Sequence, residues 1–271
     1  MFFLVSCSSC ALFSAEGFMI HRKRSSVGII SSRTFIKVAT KPSITTTSTR
    51  TIKFSTSYSS SATGSVVKHN EKTSFILTAA HVCTLAYERQ VKQVFPFYNK
   101  EKYDLHFNQI IAIYDITGKK HRAVPLIWSK MYDICIMVTS KIDQPALELA
   151  GGPPYRGEKI YYMGFPRGFG GGKFIPAFEG FYLGTMSKAR MGRGVVAGYS
   201  IPIAPGSSGS AVLNIYGDII GVLHSYYPAF EHIGLSATYP QLKSLFEEAD
   251  AAYIKSRKFI LKELKSWSYW L

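Results

Sequence analysis

The chain has 271 residues, 46% of them hydrophobic, and its 32 Lys and Arg against 17 Asp and Glu give a formal net charge of +15. That is enough apolar material for a folded core and for one large or two small domains, while no run of eighteen apolar residues exists to form a membrane-spanning helix. Four cysteines are too few for a disulfide framework at this length, and ordinary glycine and proline contents exclude collagen-like and wholly disordered chains.

A charge of this size raises a nucleic-acid or anionic-membrane partner, but its distribution argues against the first. Residues 1–63 hold eight Lys and Arg and one acid, and residues 251–271 hold five and one. Residues 64–250 are left with 19 basic and 15 acidic side chains, a balance of only +4. The basicity belongs to the two ends, so it describes where the protein is sent or docked rather than what its centre acts on. No nucleic-acid partner is expected, and the basic termini are the candidates for contact with a membrane surface.

Residues 1–63 contain 24 Ser and Thr, in runs such as Thr45-Thr46-Thr47-Ser48-Thr49. Such a composition lacks the apolar density to offset its ordering entropy, so 1–49 is expected to be a low-complexity, disordered or targeting segment. Met1 to Ala15 half-resembles a signal peptide, but Ser and Cys interrupt its apolar run and no basic residue precedes it. The Arg- and Ser-rich, acid-poor character equally suits an organellar transit segment. Export, organellar targeting and a plain tail all remain open.

From about residue 50 the pattern turns to short strands. They are expected at 51–56, 64–69, 73–78, 107–115, 121–128, 134–140, 158–163, 174–183, 194–200, 210–215, 218–224 and 233–238, with turn signals such as Thr117-Gly118-Lys119 and Tyr216-Gly217-Asp218 between them. A dozen short strands with almost no internal helix indicate barrels or sandwiches rather than βαβ units. Ala150-Gly151-Gly152-Pro153-Pro154 divides them into two sets of six. The expected fold is therefore all-β, with a first barrel over 50–147 and a second over 148–239. Beyond Pro240, Leu242, Leu245, Phe246, Ala249, Tyr253, Ile260, Leu264 and Trp267 recur at three- and four-residue steps. This predicts a C-terminal amphipathic helix over 240–271 that lays its apolar stripe on the β core.

Three local patterns carry chemistry. Thr78-Ala79-Ala80-His81 follows an apolar strand, Asp133 opens the run Asp133-Ile134-Cys135-Ile136-Met137-Val138, and Pro205-Gly206-Ser207-Ser208-Gly209-Ser210 precedes Ala211-Val212-Leu213-Asn214. A serine hydroxyl is a weak nucleophile unless a base takes its proton, and histidine is the usual base. The histidine in turn needs a carboxylate on its other ring nitrogen to fix its tautomer. Glycines around Ser208 allow a tight path that aims neighbouring N–H groups at one spot, as an oxyanion hole requires. Singly each pattern is weak; their order His, Asp, Ser, at separations of 52 and 75 residues within a two-by-six-strand pattern, gives them weight.

In these motifs the sequence resembles the trypsin-like, chymotrypsin-fold serine peptidases, most closely the Deg/HtrA-type branch, over roughly residues 50–245. Ala62-Thr63-Gly64-Ser65-Val66-Val67, Gly164-Phe165-Pro166-Arg167-Gly168 and Asn214-Ile215-Tyr216-Gly217-Asp218-Ile219-Ile220-Gly221 add to the likeness. The resemblance implies two six-stranded antiparallel barrels with the active site in the cleft between them. It implies His81 as general base, Asp133 as orienting carboxylate, Ser208 as nucleophile and the N–H groups of Gly206 and Ser208 as the oxyanion hole. The implied activity is a serine endopeptidase acting on polypeptides through an acyl-enzyme, with no cofactor and no metal. Ser210-Ala211 departs from the family's usual Gly-Pro. No cysteine is expected to pair with Cys83 across the His loop, so Cys83 and Cys135 are read as small core hydrophobes. The run after Pro240 is too short for the peptide-binding PDZ module of Deg-type enzymes.

Specificity is read from three further residues. Pro202, six positions before Ser208, and its neighbour Ile203 stand where an acid would select Arg or Lys, so an apolar P1 residue is expected. His224, in Gly221-Val222-Leu223-His224-Ser225, lies near the place where viral relatives read Gln or Glu with a histidine, though here one residue further along. A viral-type processing protease and a catalytically inactive peptide-binding scaffold of the same fold are the alternatives. The other histidines, Lys188, Arg190 and Arg193, and the glycines 170–172 are read as structural or solvated.

Overall fold

In the computed structural model, which describes residues 26–40, 52–84, 103–170, 174–187, 194–227 and 230–265, twelve strands close into two antiparallel barrels. The first contains β1 (Val27–Thr40), β2 (Ile52–His69), β3 (Thr73–Thr78), β4 (Tyr103–Tyr114), β5 (Lys120–Ser129) and β6 (Ile134–Ser140), in the order β1-β2-β3-β6-β5-β4. Closure comes from β1, which pairs with β2 along one edge and β4 along the other. The second contains β7 (Lys159–Met163), β8 (Ala177–Ser187), β9 (Val195–Ser200), β10 (Ala211–Leu213), β11 (Ile219–Tyr227) and β12 (Phe230–Ser236), in the order β10-β11-β12-β9-β8-β7.

Strand β1 corrects the expectation that 1–49 is a low-complexity segment outside the fold. Its fourteen residues include apolar Val27, Ile29, Ile30, Phe35, Ile36, Val38 and Ala39, which the Ser- and Thr-rich stretches around them hide in a composition taken over 1–63; its backbone pairs on both edges, and Val27 and Ile30 are buried. The two strands expected at 51–56 and 64–69 are one continuous strand, β2, so the total of twelve stands with a different membership. The signal-like segment Met1 to Ala15 and the basic cluster Lys188, Arg190 and Arg193 lie outside the described residues, as does Trp267.

The cores explain the uninterrupted apolar runs. Ile30, Val66, Ile76, Ile111, Ile113 and Met137 fill the first barrel, and Ile160, Tyr162, Tyr199, Ile201, Val212 and Leu223 fill the second. Strands β3 and β6 also bury their outer faces, placing Phe75, Leu77, Ile134, Ile136 and Val138 in a cluster shared with the second barrel and the C-terminal helix. A strand buried on both sides cannot alternate, which is why Phe75-Ile76-Leu77 and Ile134-Cys135-Ile136-Met137-Val138 read as solid apolar blocks.

A one-turn helix, α1 (Ala80–Cys83), follows β3, and a long helix, α2 (Tyr239–Lys265), ends the described chain. Pro240 falls in the first turn of α2, where its missing N–H costs nothing. Leu242, Leu245, Ala249, Tyr253 and Ile260 are buried as the 3.6-residue spacing predicts. Tyr253 meets Phe75 edge-on at 5.1 Å and accepts the Thr73 hydroxyl at 3.2 Å. Lys68 pairs with Asp250, and Arg122 donates to both the Glu263 carbonyl and its carboxylate. The helix is thereby fastened across the outside of the first barrel.

Candidate active site

His81 is placed by the end of β3. The backbone stays extended at Ala79 and then makes the single turn of α1, with Ala79 and Ala80 fully buried beneath it. Only small side chains fit under so short a turn, which accounts for the two alanines. The His81 side chain itself is 47% exposed, while Asp133 beside it is 8% exposed. Asp133 Oδ1 accepts the His81 backbone N–H at 2.9 Å, and the ring Nδ1 lies 3.1 and 3.0 Å from Oδ1 and Oδ2. An ionised carboxylate can only accept, so Nδ1 carries the proton and Nε2 carries the lone pair. The same carboxylate therefore fixes both the backbone and the tautomer of the histidine.

Asp133 occupies a left-handed backbone conformation, φ 56°, immediately before β6. Aspartate tolerates this better than most residues, at a cost of about 1–3 kcal/mol, and the packed strand that follows holds it there. Burial pushes its carboxyl up, but the hydrogen bonds from His81 and the positive potentials of His81 and His224 outweigh burial and leave it below its ordinary value.

His224 is the first site residue that moves. Its side chain is 1% exposed, with Nδ1 2.9 Å from the Ser225 hydroxyl and 4.0 Å from Asp133 Oδ2. It flanks the Asp133 carboxylate from the second barrel. The register of β11 gives the reason: between Leu223 and Ser225 it advances two residues against one of β12, from Ser236 to Leu235, so His224 sits at a bulge where regular alternation is broken. Leu223, its neighbour, points into the second barrel's core.

Cys83 and Cys135 form a disulfide, with a Cα–Cα distance of 6.6 Å, which corrects the reading of both as free core hydrophobes. Cys83 lies two residues after His81 and Cys135 two after Asp133, so the bond spans the same 52-residue interval as the base and its carboxylate. The cross-strand pairing of Thr78 with Cys135 brings α1 down onto β6 and makes the pairing possible.

Ser208 sits half-buried in the turn between β9 and β10. Gly206 and Gly209 in that turn have φ of 99° and 87°. A Cβ on Gly206 would collide with the Phe165 carbonyl, and one on Gly209 with the Thr63 carbonyl and the Thr78 hydroxyl. The carbonyls of residues 205–208 in the turn are all engaged by other protein groups. Pro205 accepts from the Arg167 N–H at 2.6 Å, Gly206 from the Thr63 hydroxyl at 2.8 Å, Ser207 from the Ser210 N–H at 3.0 Å and Ser208 from the Thr63 N–H at 2.8 Å. Thr63 was legible in the sequence only as part of a matching stretch; nothing in its spacing marks it as a contact of the serine turn.

Pro202 is exposed, and its carbonyl accepts the Tyr162 hydroxyl at 2.7 Å. Burial pushes the Tyr162 phenol up to about 12, against a smaller downward pull from a hydrogen bond with Ser207. Ile203 is half-buried against the second barrel's core.

A second Ser–His–Asp grouping occurs at Ser140, His121 and Asp115. His121 Nε2 lies 2.9 Å from Asp115 Oδ2, and Nδ1 lies 3.2 Å from the Ser140 hydroxyl. Its chemistry is that of a turn clasp. Asp115 Oδ1 is occupied by the N–H groups of Thr117 and Lys119 and by the Thr117 hydroxyl, and Ser140 is the last residue of a strand, outside any glycine turn. His69 is likewise held between the Ser74 hydroxyl and the Gln144 carbonyl, as expected of a structural histidine. No group of metal-ligating side chains occurs among the described residues.

Paired six-stranded barrels, a carboxylate-held histidine on one and a serine in a glycine turn on the other define the class of chymotrypsin-fold serine endopeptidases. The model of the trypsin-like peptidase domain matches residues 62–222, and the chain belongs to that family. No curated protein matches the chain. Among solved structures, the inactive form of a mutant of Rv3671c from M. tuberculosis is similar at a TM-score of 0.55 and 14% identity, covering 86% of this chain and 90% of that one. The active form of the Rv3671c protease follows at 0.56 and 15%, covering 85% and 83%. A serine endoprotease from Yersinia pestis aligns at 0.56 and 16%, covering 87% of this chain and 66% of its own. At such identities these likenesses speak for the fold.

Proposed function

We propose that the chain cleaves polypeptides through an acyl-enzyme formed on Ser208, with His81 as general base and acid and Asp133 as its orienting carboxylate. The observation that carries this reading is the double grip of Asp133 on the His81 backbone and ring, which leaves Nε2 as the proton acceptor. Ser208 Oγ attacks the scissile carbonyl carbon while its proton passes to His81 Nε2. The tetrahedral oxyanion collapses, His81 returns the proton to the departing amine, and the acyl group stays on Ser208. Water then attacks the ester carbonyl, giving its proton to His81; the second tetrahedral intermediate collapses with cleavage of the C–Oγ bond, His81 returns the proton to Ser208 Oγ, and the carboxylic product leaves.

The oxyanion hole follows from peptide planarity. In a trans peptide the C=O of one residue and the N–H of the next point oppositely. Pro205 and Ser207 turn their carbonyls inward to Arg167 and Ser210, which directs the N–H groups of Gly206 and Ser208 the other way, toward one side of the turn. This supports them as the two donors. With Pro202 and Ile203 in place of an acid, the reading favours an apolar P1 residue.

A fluorophosphonate probe tests the mechanism: the native protein is expected to label, and Ser208→Ala to stay unlabelled. Native, folded protein that fails to label would sink it. A peptide-library cleavage profile checks specificity, and cuts predominantly after Arg or Lys would overturn the apolar assignment.

A further inference from the structure

Thr63 belongs to β2 of the first barrel, yet its hydrogen bonds reach into the second. It is fully buried. Its hydroxyl donates to the Gly206 carbonyl at 2.8 Å and accepts the Phe165 N–H at 3.1 Å. Its N–H donates to the Ser208 carbonyl at 2.8 Å, and its own carbonyl accepts the Thr78 hydroxyl at 2.8 Å, three residues before His81. One residue thus touches the serine turn twice, the 164–168 loop once and the strand leading to the base once.

These contacts bear on the orientation of the oxyanion donors. The Phe165 N–H held by Thr63 anchors the loop whose next turn contains Arg167, a non-glycine residue at φ 51°. Arg167 in turn donates to the Pro205 carbonyl and so sets the Pro205–Gly206 peptide. On its other side, the Thr63 hydroxyl sets the Gly206–Ser207 peptide directly. Gly206 therefore lies between two peptide planes, both fixed through a single hydroxyl. Glycine at φ 99° resists rotation only as far as its neighbours hold it. Without the hydroxyl, two buried groups, the Gly206 carbonyl and the Phe165 N–H, lose their partner and the turn loses what aims it.

We infer that Thr63 is a positioning residue for the oxyanion hole, acting across the barrel interface through its hydroxyl on Gly206 and Phe165. The inference rests on the assignment of Gly206 and Ser208 as oxyanion donors. It identifies a residue of the first barrel, outside the His–Asp–Ser set, on which transition-state stabilisation depends.

The test is the rate of fluorophosphonate modification resolved into its maximal rate and its half-saturating concentration, with thermal melting measured in parallel. Thr63→Val keeps the shape and deletes the hydroxyl. Its maximal rate is expected to fall about 100-fold, approaching the loss of one oxyanion donor, with half-saturation unchanged. Thr63→Ser is expected to restore the rate to within about threefold, since it returns the hydroxyl's hydrogen bonds. If the valine protein does not fold, Thr63→Cys, which retains a weak donor, takes its place and is expected to fall between the wild type and full loss. A valine or cysteine variant that modifies as fast as wild type overturns the inference, as does a serine variant that melts normally but stays slow. Wild-type protein that does not label overturns the triad assignment itself and the inference with it. The two failures are therefore told apart by the wild type alone.

Discussion

Asp133 shows how much one side chain can be asked to do when its surroundings are arranged for it. It holds His81 by backbone and ring, accepts a left-handed backbone, and lies between two histidines at 3.0 and 4.0 Å from Oδ2. Replacing Asp133 with Asn retains the size but offers an amide to Nδ1 and favours the wrong tautomer, so the labelling rate should drop by about 10³–10⁴-fold. His224 acts on the carboxylate at one remove. Burial pushes the Asp133 carboxyl up while His81 and His224 pull it down, so His224→Leu removes part of the downward pull. The carboxyl should then titrate at higher pH, which a carbon-13 NMR titration of Asp133 measures directly. A titration unmoved by the substitution would show that the second histidine does not reach the carboxylate.

Among the elements, α1 and β6 form the smallest unit that could hold a catalytic pair, and they are covalently joined. A four-residue helix has little stability of its own, and α1 carries no side-chain cap. The Cys83–Cys135 bond supplies what helix propensity cannot, fixing α1 to a strand buried on both faces. Loss of a native cross-link typically costs about 2–5 kcal/mol, or about 4–10 °C in melting temperature for a chain of this size. The Cys83→Ala/Cys135→Ala double variant should show that fall by calorimetry. An unchanged melting temperature would mean the two sulfurs contribute no more than buried thiols. At the other end of the chain, α2 closes over the outer faces of β3 and β6, so the two strands that bring His81 and Asp133 together are covered by a helix that never touches the site.

For the whole molecule, the motifs were legible because their chemistry is local: a histidine after two alanines, an aspartate before an apolar block, a serine among glycines. The strands from β3 to β12 were legible from turn signals, and the paired barrels from the break at 150–154, while β1 and the continuity of β2 were not. What the sequence left hidden depends on contacts between distant segments. The disulfide needed the Thr78–Cys135 register, the place of His224 depends on the bulge in the pairing of β11 with β12, and β1 owes its place to pairing on both edges. Thr63 is the extreme case, a residue 143 positions from the carbonyl it holds. Folding also places two carboxyls, Asp115 and Asp133, in surroundings that hold them below their ordinary value: burial pushes each up, but for Asp115 the bonds from Thr117, His121 and Lys119 win, and for Asp133 those from His81 and the two histidines' potentials. A carboxyl lowered in the folded state contributes stability above its unfolded value, and that stability is lost as pH falls through the folded value. Both reference values are 3.8, so the urea midpoint should hold steady from neutral pH down to that region and fall below it. Asp115→Asn should lower the neutral-pH midpoint and flatten the acid decline, because it removes one of the two groups whose protonation drives it. A decline equally steep in Asp115→Asn would place the acid sensitivity elsewhere in the molecule.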